Sequence, residues 1–99
     1  MSRVDATDTR RQLQELTAAG FTLVYLADQT LVSHTTLRAA RGGWYRHVLS
    51  PVRDAVAYAH RHLVHTDPAD FGIPAGSTAV ARLTAARNGW TVPTRKVTT

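Results

Sequence analysis

Residues 22–42, TLVYLADQTLVSHTTLRAARG, constrain the fold more than any other stretch of this chain. Thr22 and Ser33 each stand just before a run of helical apolar spacing. A short side-chain oxygen at that position accepts a free backbone N–H of the first helical turn. Leu23, Leu26, Ala27 and Thr30 share one face of the first run, and Leu37 and Ala40 share one face of the second. Leu31 and Val32 make the turn between them. Val32 and Leu37 occupy the two positions of a hydrophobic staple, which fixes the angle at which the second helix leaves the turn. The spacing therefore predicts two short helices, the second over 34–41, locked together by a tight turn. The small Ala27 lets the helices approach closely. Such turns usually carry Gly where this chain has Leu31, so the Leu31 backbone must avoid or tolerate a positive φ.

Elements on both sides supply a core for this pair to dock on. Residues 1–8 read as an N-terminal arm. Thr9 to Ala19 reads as a first helix, with Thr9 and Gln12 at capping-box spacing and Leu13 and Leu16 inward. Gly20 is a left-handed stop, after which Phe21 folds back. Trp44 to Leu49 reads as a loop. Ser50-Pro51 signals a helix start, a capping Ser followed by Pro where its missing N–H costs nothing. That fourth helix runs to about His65, with Val52, Ala55, Val56, Ala59 and Leu63 as its apolar stripe. DPADFGIPAG is a loop anchored by Phe71 and Ile73, with Asp67 and Asp70 capping turns near Pro68. A last helix runs from Ser77 or Thr78 to Asn88, with Val80 and Leu83 inward. Gly89 ends it and Trp90 folds back on its end. No strand alternation is evident. The expected fold is all-α, a compact bundle of about five short helices containing a helix-turn-helix. One domain, 9–91, lies between the flexible arm and a flexible basic tail, 92–99.

Composition narrows the function classes. With 99 residues and 43% apolar content the chain can build one modest core. The absence of Cys removes disulfides, thiolate chemistry and zinc-finger ligation. HRHLVH invites a metal reading, but at ~100° per residue His60 and His62 fall on opposite flanks of the apolar stripe. Only His62 and His65 share a face, so no metal is expected. No Gly-rich phosphate loop occurs. Asp5, Asp8, Glu15, Asp28, Asp54, Asp67 and Asp70 form no obvious catalytic pair, and Asp28 is an ion-pair candidate for Arg3, Arg10 or Arg11. No enzyme activity and no cofactor are expected, and a small-molecule effector is neither implied nor excluded. MSRVDATDTRRQ has no apolar core of signal-peptide length, and no run approaches the ~20 apolar residues of a membrane span. A soluble, cytoplasmic, nucleoid-associated protein is expected. The net charge is +5, and of the 12 basic residues only Lys96 is a lysine. Arg makes forked contacts to phosphate or guanine, so a polyanionic partner fits.

The 34–41 helix opens on Ser33, His34, Thr35 and Thr36, short polar residues where the N-terminal end of a reading helix meets base edges. The run from Arg10 to Gly42 resembles the lambda-repressor-like helix-turn-helix proteins. Over roughly residues 9 to 93, through RRQLQELTAAGF, YLADQTLVSHTTLRAARGG, VLSPVRDAVAYAHRHL and ARLTAARNGWTVP, the chain resembles the short DNA-binding proteins of actinobacteria and their phages. The resemblance implies a sequence-specific double-stranded DNA-binding transcriptional regulator, a bacterial or phage repressor. The 34–41 helix would then enter the major groove. It implies base-reading roles for Ser33, His34, Thr35 and Arg38, with Ser33 reading equally as a structural cap. Thr36 and Arg41 would meet the groove edge or phosphate, and Thr22 would offer a backbone N–H to phosphate. Arg10, Arg11, Arg46 and His47 are added as backbone contacts by charge and by their place near the helix pair. Trp44 and Tyr45 would stack on nucleic acid or cover the core, the latter the better reading of Trp44. A homodimer on a two-part site is expected, with the fourth or fifth helix as its seam. The alternative is a protein-interaction module on the same fold, a phage-encoded host-factor binder or antitoxin-like partner. Val24, Tyr25 and Tyr58 would be its contacts.

Overall fold

The computed structural model describes residues 2–94. In chain order these form β1 (Arg3–Asp5), α1 (Thr7–Ala18), α2 (Leu23–Thr30), α3 (His34–Arg41), β2 (His47–Leu49), α4 (Ser50–Leu63), a short 3-10 turn (Pro68–Phe71) and α5 (Ala75–Asn88). The architecture is an all-α bundle of five helices carrying a small two-stranded ribbon. α1 is its centre and packs against α3, α4 and α5. Leu13, Leu16, Phe21, Leu26, Leu37 and Val56 are fully enclosed between them. Among the described residues no helix is long and apolar enough to cross a membrane.

The two capped helices form as the spacing predicts. The Tyr25 N–H donates to Thr22 Oγ1 at 3.1 Å, and the Thr36 N–H donates to Ser33 Oγ at 3.1 Å. Leu31 is the C-cap of α2 at φ 58°, ψ 24°, so this turn does use the left-handed region, without a glycine. Gly20 also has positive φ, 101°, and the Phe21 N–H reaches back to the Leu16 carbonyl at 3.0 Å. That ends α1 and drops Phe21 into the core. Phe21 there meets Tyr25 and Phe71, the three rings lying about 6 Å apart centre to centre. Ile73 is buried as the second anchor of that loop.

Four expectations are corrected. Of the expected arm over residues 1–8, the described residues 2–8 are structured instead. β1 pairs antiparallel with β2, Val4 opposite Val48, within the segment expected to be loop. The Ala6 N–H to Arg46 carbonyl and Ser50 N–H to Ser2 carbonyl bonds, both 2.9 Å, extend this pairing at its two ends. Each strand is three residues long, too short for alternation to stand out, and the pairing is specified by Val4 and Val48 packing on the helical core.

The second correction concerns helix starts. The Thr9–Gln12 capping box does not form, because α1 begins at Thr7, whose N–H is taken by the Asp5 carboxylate at 2.8 Å. Thr9 is fully buried instead. Ser50 is likewise the first residue of α4 rather than its cap, and α4 stops at Leu63.

The third is the register of α5. It starts at Ala75 and buries Thr78, Ala81 and Ala85, leaving Val80 65% and Leu83 50% exposed. Close approach to the end of α1 demands small side chains: a Cβ on Gly20 would come within 2.6 Å of Thr78 Cγ2. The Arg82 guanidinium also donates to the Ala19 carbonyl at 3.3 Å, tying α5 to that end. The fourth is Trp44, which is 82% exposed rather than a core cover. Of the expected tail, Val92 to Thr94 lack regular structure, and residues 95–99, with Arg95 and Lys96, lie outside the described residues.

Candidate nucleic-acid interface

α3 presents one polar face because its other face is committed. Leu37 and Ala40 are buried against the core, and at ~100° per residue this leaves His34, Thr35 and Arg38 outward. All three are exposed, and among the described residues their side chains make no hydrogen bond or ion pair. Ser33 is different. Besides accepting the Thr36 N–H, its hydroxyl lies 2.8 Å from Thr36 Oγ1. Both local bonds engage its hydroxyl, so the structure makes Ser33 first a cap.

The expected phosphate contacts divide into those the fold brings to α3 and those it turns elsewhere. Thr22 stands beside α3 at the α2 N-terminus, on the wall of a groove that also holds His34, Arg38 and Arg41. Arg10 lies along the loop after α3, its Nη1 3.0 Å from where a Gly43 Cβ would stand. Arg46 and His47 are exposed on the same side, and with Arg10, Gly43 and Tyr45 they border one hollow, which Asp5 also lines. Arg11 does not join them. One residue on from Arg10, it is rotated toward the seam of α1 and α4, where it pairs with Glu15 at 3.0 Å and Asp8 at 3.7 Å. Glu15 also takes His60 of α4 at 2.8 Å.

Arg41 is a brace rather than a free cation. It is half-buried, its guanidinium 3.3 Å from Thr17 Oγ1 and 5.3 Å from the Trp90 ring centre. Its carbonyl accepts from Gln14 Nε2 at 3.0 Å. Burial, and then the nearby Arg38 charge, push its pKa down. These contacts hold the C-terminal end of α3 against α1 and against the segment after α5.

Other side chains weighed in the sequence find different places. Asp28 is not paired with Arg3, Arg10 or Arg11 and is 3.4 Å from Gln29 Nε2. Asp67 does cap its turn, accepting the Ala69 N–H at 2.9 Å. The His62 ring lies 4.2 Å from the Tyr58 ring. Among the described residues no three His, Cys, Asp or Glu gather in a way that could hold a metal ion.

Sequence reasoning missed two walls around α3. The ribbon carries Arg3 to one flank, beside Thr36, Tyr45 and His47. The outward face of α5 brings Gly76, Ser77, Val80 and Thr84 to the other. Neither was legible locally, since one depends on a long-range strand pair and the other on the rotation of α5. What results is a helix with three unengaged polar side chains, cations on both flanks and a rigid apolar back. Such a surface can donate and accept hydrogen bonds at base edges and neutralise phosphate. No protein-family model, curated protein or solved structure matches this chain.

Proposed function

We propose that this protein is a sequence-specific double-stranded DNA-binding regulator of transcription, a repressor of the lambda-repressor-like helix-turn-helix kind. α3 would enter the major groove with His34, Thr35 and Arg38 on base edges. Thr22, Thr36, Arg10, Arg46 and His47 would meet the sugar–phosphate backbone. The observation that carries this is the exposed, unpartnered row His34, Thr35 and Arg38 on a helix whose opposite face is buried. That helix is also held at both ends. Here Arg41, Trp90 and Gln14 hold one end and the Ser33 cap holds the other. The net charge of +5 supports an anionic partner. One domain of this size covers few base pairs, so two copies on half-sites about 34 Å apart would supply the affinity of a regulator.

The test is selection from random duplexes, followed by binding of the enriched sequence across salt concentrations. A single enriched motif and steep salt dependence are expected. Arg38→Ala should relax preference at about one base pair, worth ~1–3 kcal/mol of discrimination. Arg46→Ala should weaken all duplexes alike. Salt dependence without a motif would instead identify an architectural binder. A partner-binding module is the second reading, favoured by Val24 at 71% and Tyr58 at 62% exposure. Tyr25 offers less surface, being half-buried with its ring about 6 Å from those of Phe21 and Phe71. Such a module would yield neither motif nor salt dependence.

A further inference from the structure

Two grooves run beside α3, and both are free of carboxylates. The larger, about 600 Å³, lies between α3 and α5 and is lined by His34, Arg38 and Arg41 on one wall and Ser77 and Val80 on the other. The smaller, about 260 Å³, lies between α3 and the ribbon, with Thr36 on one side and Arg3, Tyr45 and His47 on the other. Thr36 is two residues from both His34 and Arg38, so at ~100° per residue the two grooves lie on opposite flanks of the helix. None of the acidic side chains lines either groove. Asp5, in the ribbon itself and opposite His47, has its carboxylate on the Thr7 N–H.

We propose that these grooves seat the two sugar–phosphate strands that border one stretch of major groove, which makes the ribbon and α5 the outer walls of the DNA interface. This rests on the major-groove assignment of α3 given above. The major groove is ~12 Å wide, so a helix lying in it has a phosphate strand on each side. A protein that offered only the helix tip would meet one of them weakly. Here Arg3, His47 and the Tyr45 hydroxyl face one strand. The Ser77 hydroxyl and the first turn of α2 face the other, with Arg38 left to the base edges. These are the donor types that hold phosphate oxygens and set register. Charge also argues against a second copy in the larger groove. Its α3 wall carries three basic side chains, no acid lines it, and an identical copy would bring more cations to it.

The test uses the full chain, a selected duplex and a scrambled duplex, with affinity measured by fluorescence anisotropy over a range of salt. Arg3→Ala should weaken both duplexes several-fold and alike, and lower the slope of log affinity against log salt by ~0.9. Val80→Lys places a new cation in the larger groove at a site that is 65% exposed. It should tighten both duplexes several-fold and steepen the slope by ~0.9. Arg61→Ala on α4, whose guanidinium lies over the Tyr58 ring, is the reference and should match wild type. Thr35→Ala reports the base-reading face separately. If Thr35→Ala shifts sequence preference while Arg3→Ala and Val80→Lys match the Arg61→Ala reference, the two-groove proposal is overturned and the major-groove assignment stands. If wild type shows no salt-dependent duplex affinity, both fall. If Val80→Lys weakens binding and splits a dimer in sedimentation, the larger groove seats a second copy, and the proposal is overturned.

Discussion

Leu31→Gly should stabilise the protein, although it deletes a hydrophobic side chain. Leu31 sits at φ 58°, ψ 24° between α2 and α3 and is 91% exposed. Holding an L-residue with a Cβ in the left-handed region costs about 1–2 kcal/mol. Glycine removes that cost but widens the unfolded ensemble, which takes back about 0.4–1 kcal/mol. Central values leave a gain of about 0.8 kcal/mol. Fully burying Leu is worth about 1.5–3 kcal/mol, so the covered tenth of this side chain contributes about 0.2 kcal/mol. The net expectation is about +0.6 kcal/mol, a rise in Tm of roughly 2–5 °C for a domain of this size. Leu31→Ala separates strain from side-chain loss, because it loses the same contact and keeps the Cβ. It should fall about 0.2 kcal/mol below wild type, leaving about 0.8 kcal/mol between the two variants. Leu31→Asn should lie between them, since Asn tolerates this region better than Leu. Calorimetry or chemical denaturation at neutral pH reads all three. If the Gly variant is no more stable than the Ala variant, the turn is not strained by its Cβ and the reasoning fails.

Gly20→Ala should cost about 2–4 kcal/mol, because it combines a φ of 101° with a Cβ 2.6 Å from Thr78 Cγ2 at the α1–α5 contact. A midpoint within 1 °C of wild type would show that α5 does not press on Gly20. Asp5 gives a pH signature. Its bonds from Thr7, side chain and then backbone, lower its pKa from the ordinary 3.8. A depressed folded pKa means the stabilisation is fully present above pH 3.8 and is lost as pH falls through the lower folded value. Asp5→Ala should therefore melt below wild type at pH 7. The gap should narrow only below about pH 4, and a gap constant from pH 7 to pH 2 would contradict it.

The helix pair was legible in the sequence because its determinants are local. Thr22 and Ser33 each act within three residues, and Val32, Leu37 and Leu23 are ordered by helical period alone. The Leu31 anomaly was visible for the same reason, as a missing glycine in a turn that needs positive φ. The ribbon was not visible. Its strands lie more than 40 residues apart and owe their pairing to Val4 and Val48 meeting the core. Arg11 was misplaced because charge was counted without angle. Its neighbour Arg10 reaches Gly43, while Arg11 itself closes on Glu15 beneath His60.

The α5 face shows why this matters for function as well as for packing. Choosing the largest side chains as the inward set buries Val80 and Leu83. In a helix this rich in Ala, however, size is a poor guide, because a close neighbour selects small residues. α1 comes near enough that Thr78, Ala81 and Ala85 make the contact, and this rotates Val80 toward α3. The same rotation gives the groove beside Arg38 its second wall. Had Val80 and Leu83 packed inward, the helix would have turned Thr78 and Ala81 to solvent, and α3 would have stood beside the core with one flank open. The tight α1–α5 contact at Gly20 and the second wall of the candidate interface are thus consequences of one packing choice. A larger residue at Ala81 should disturb both, lowering stability and weakening duplex affinity together, whereas Val80→Lys acts on the wall alone.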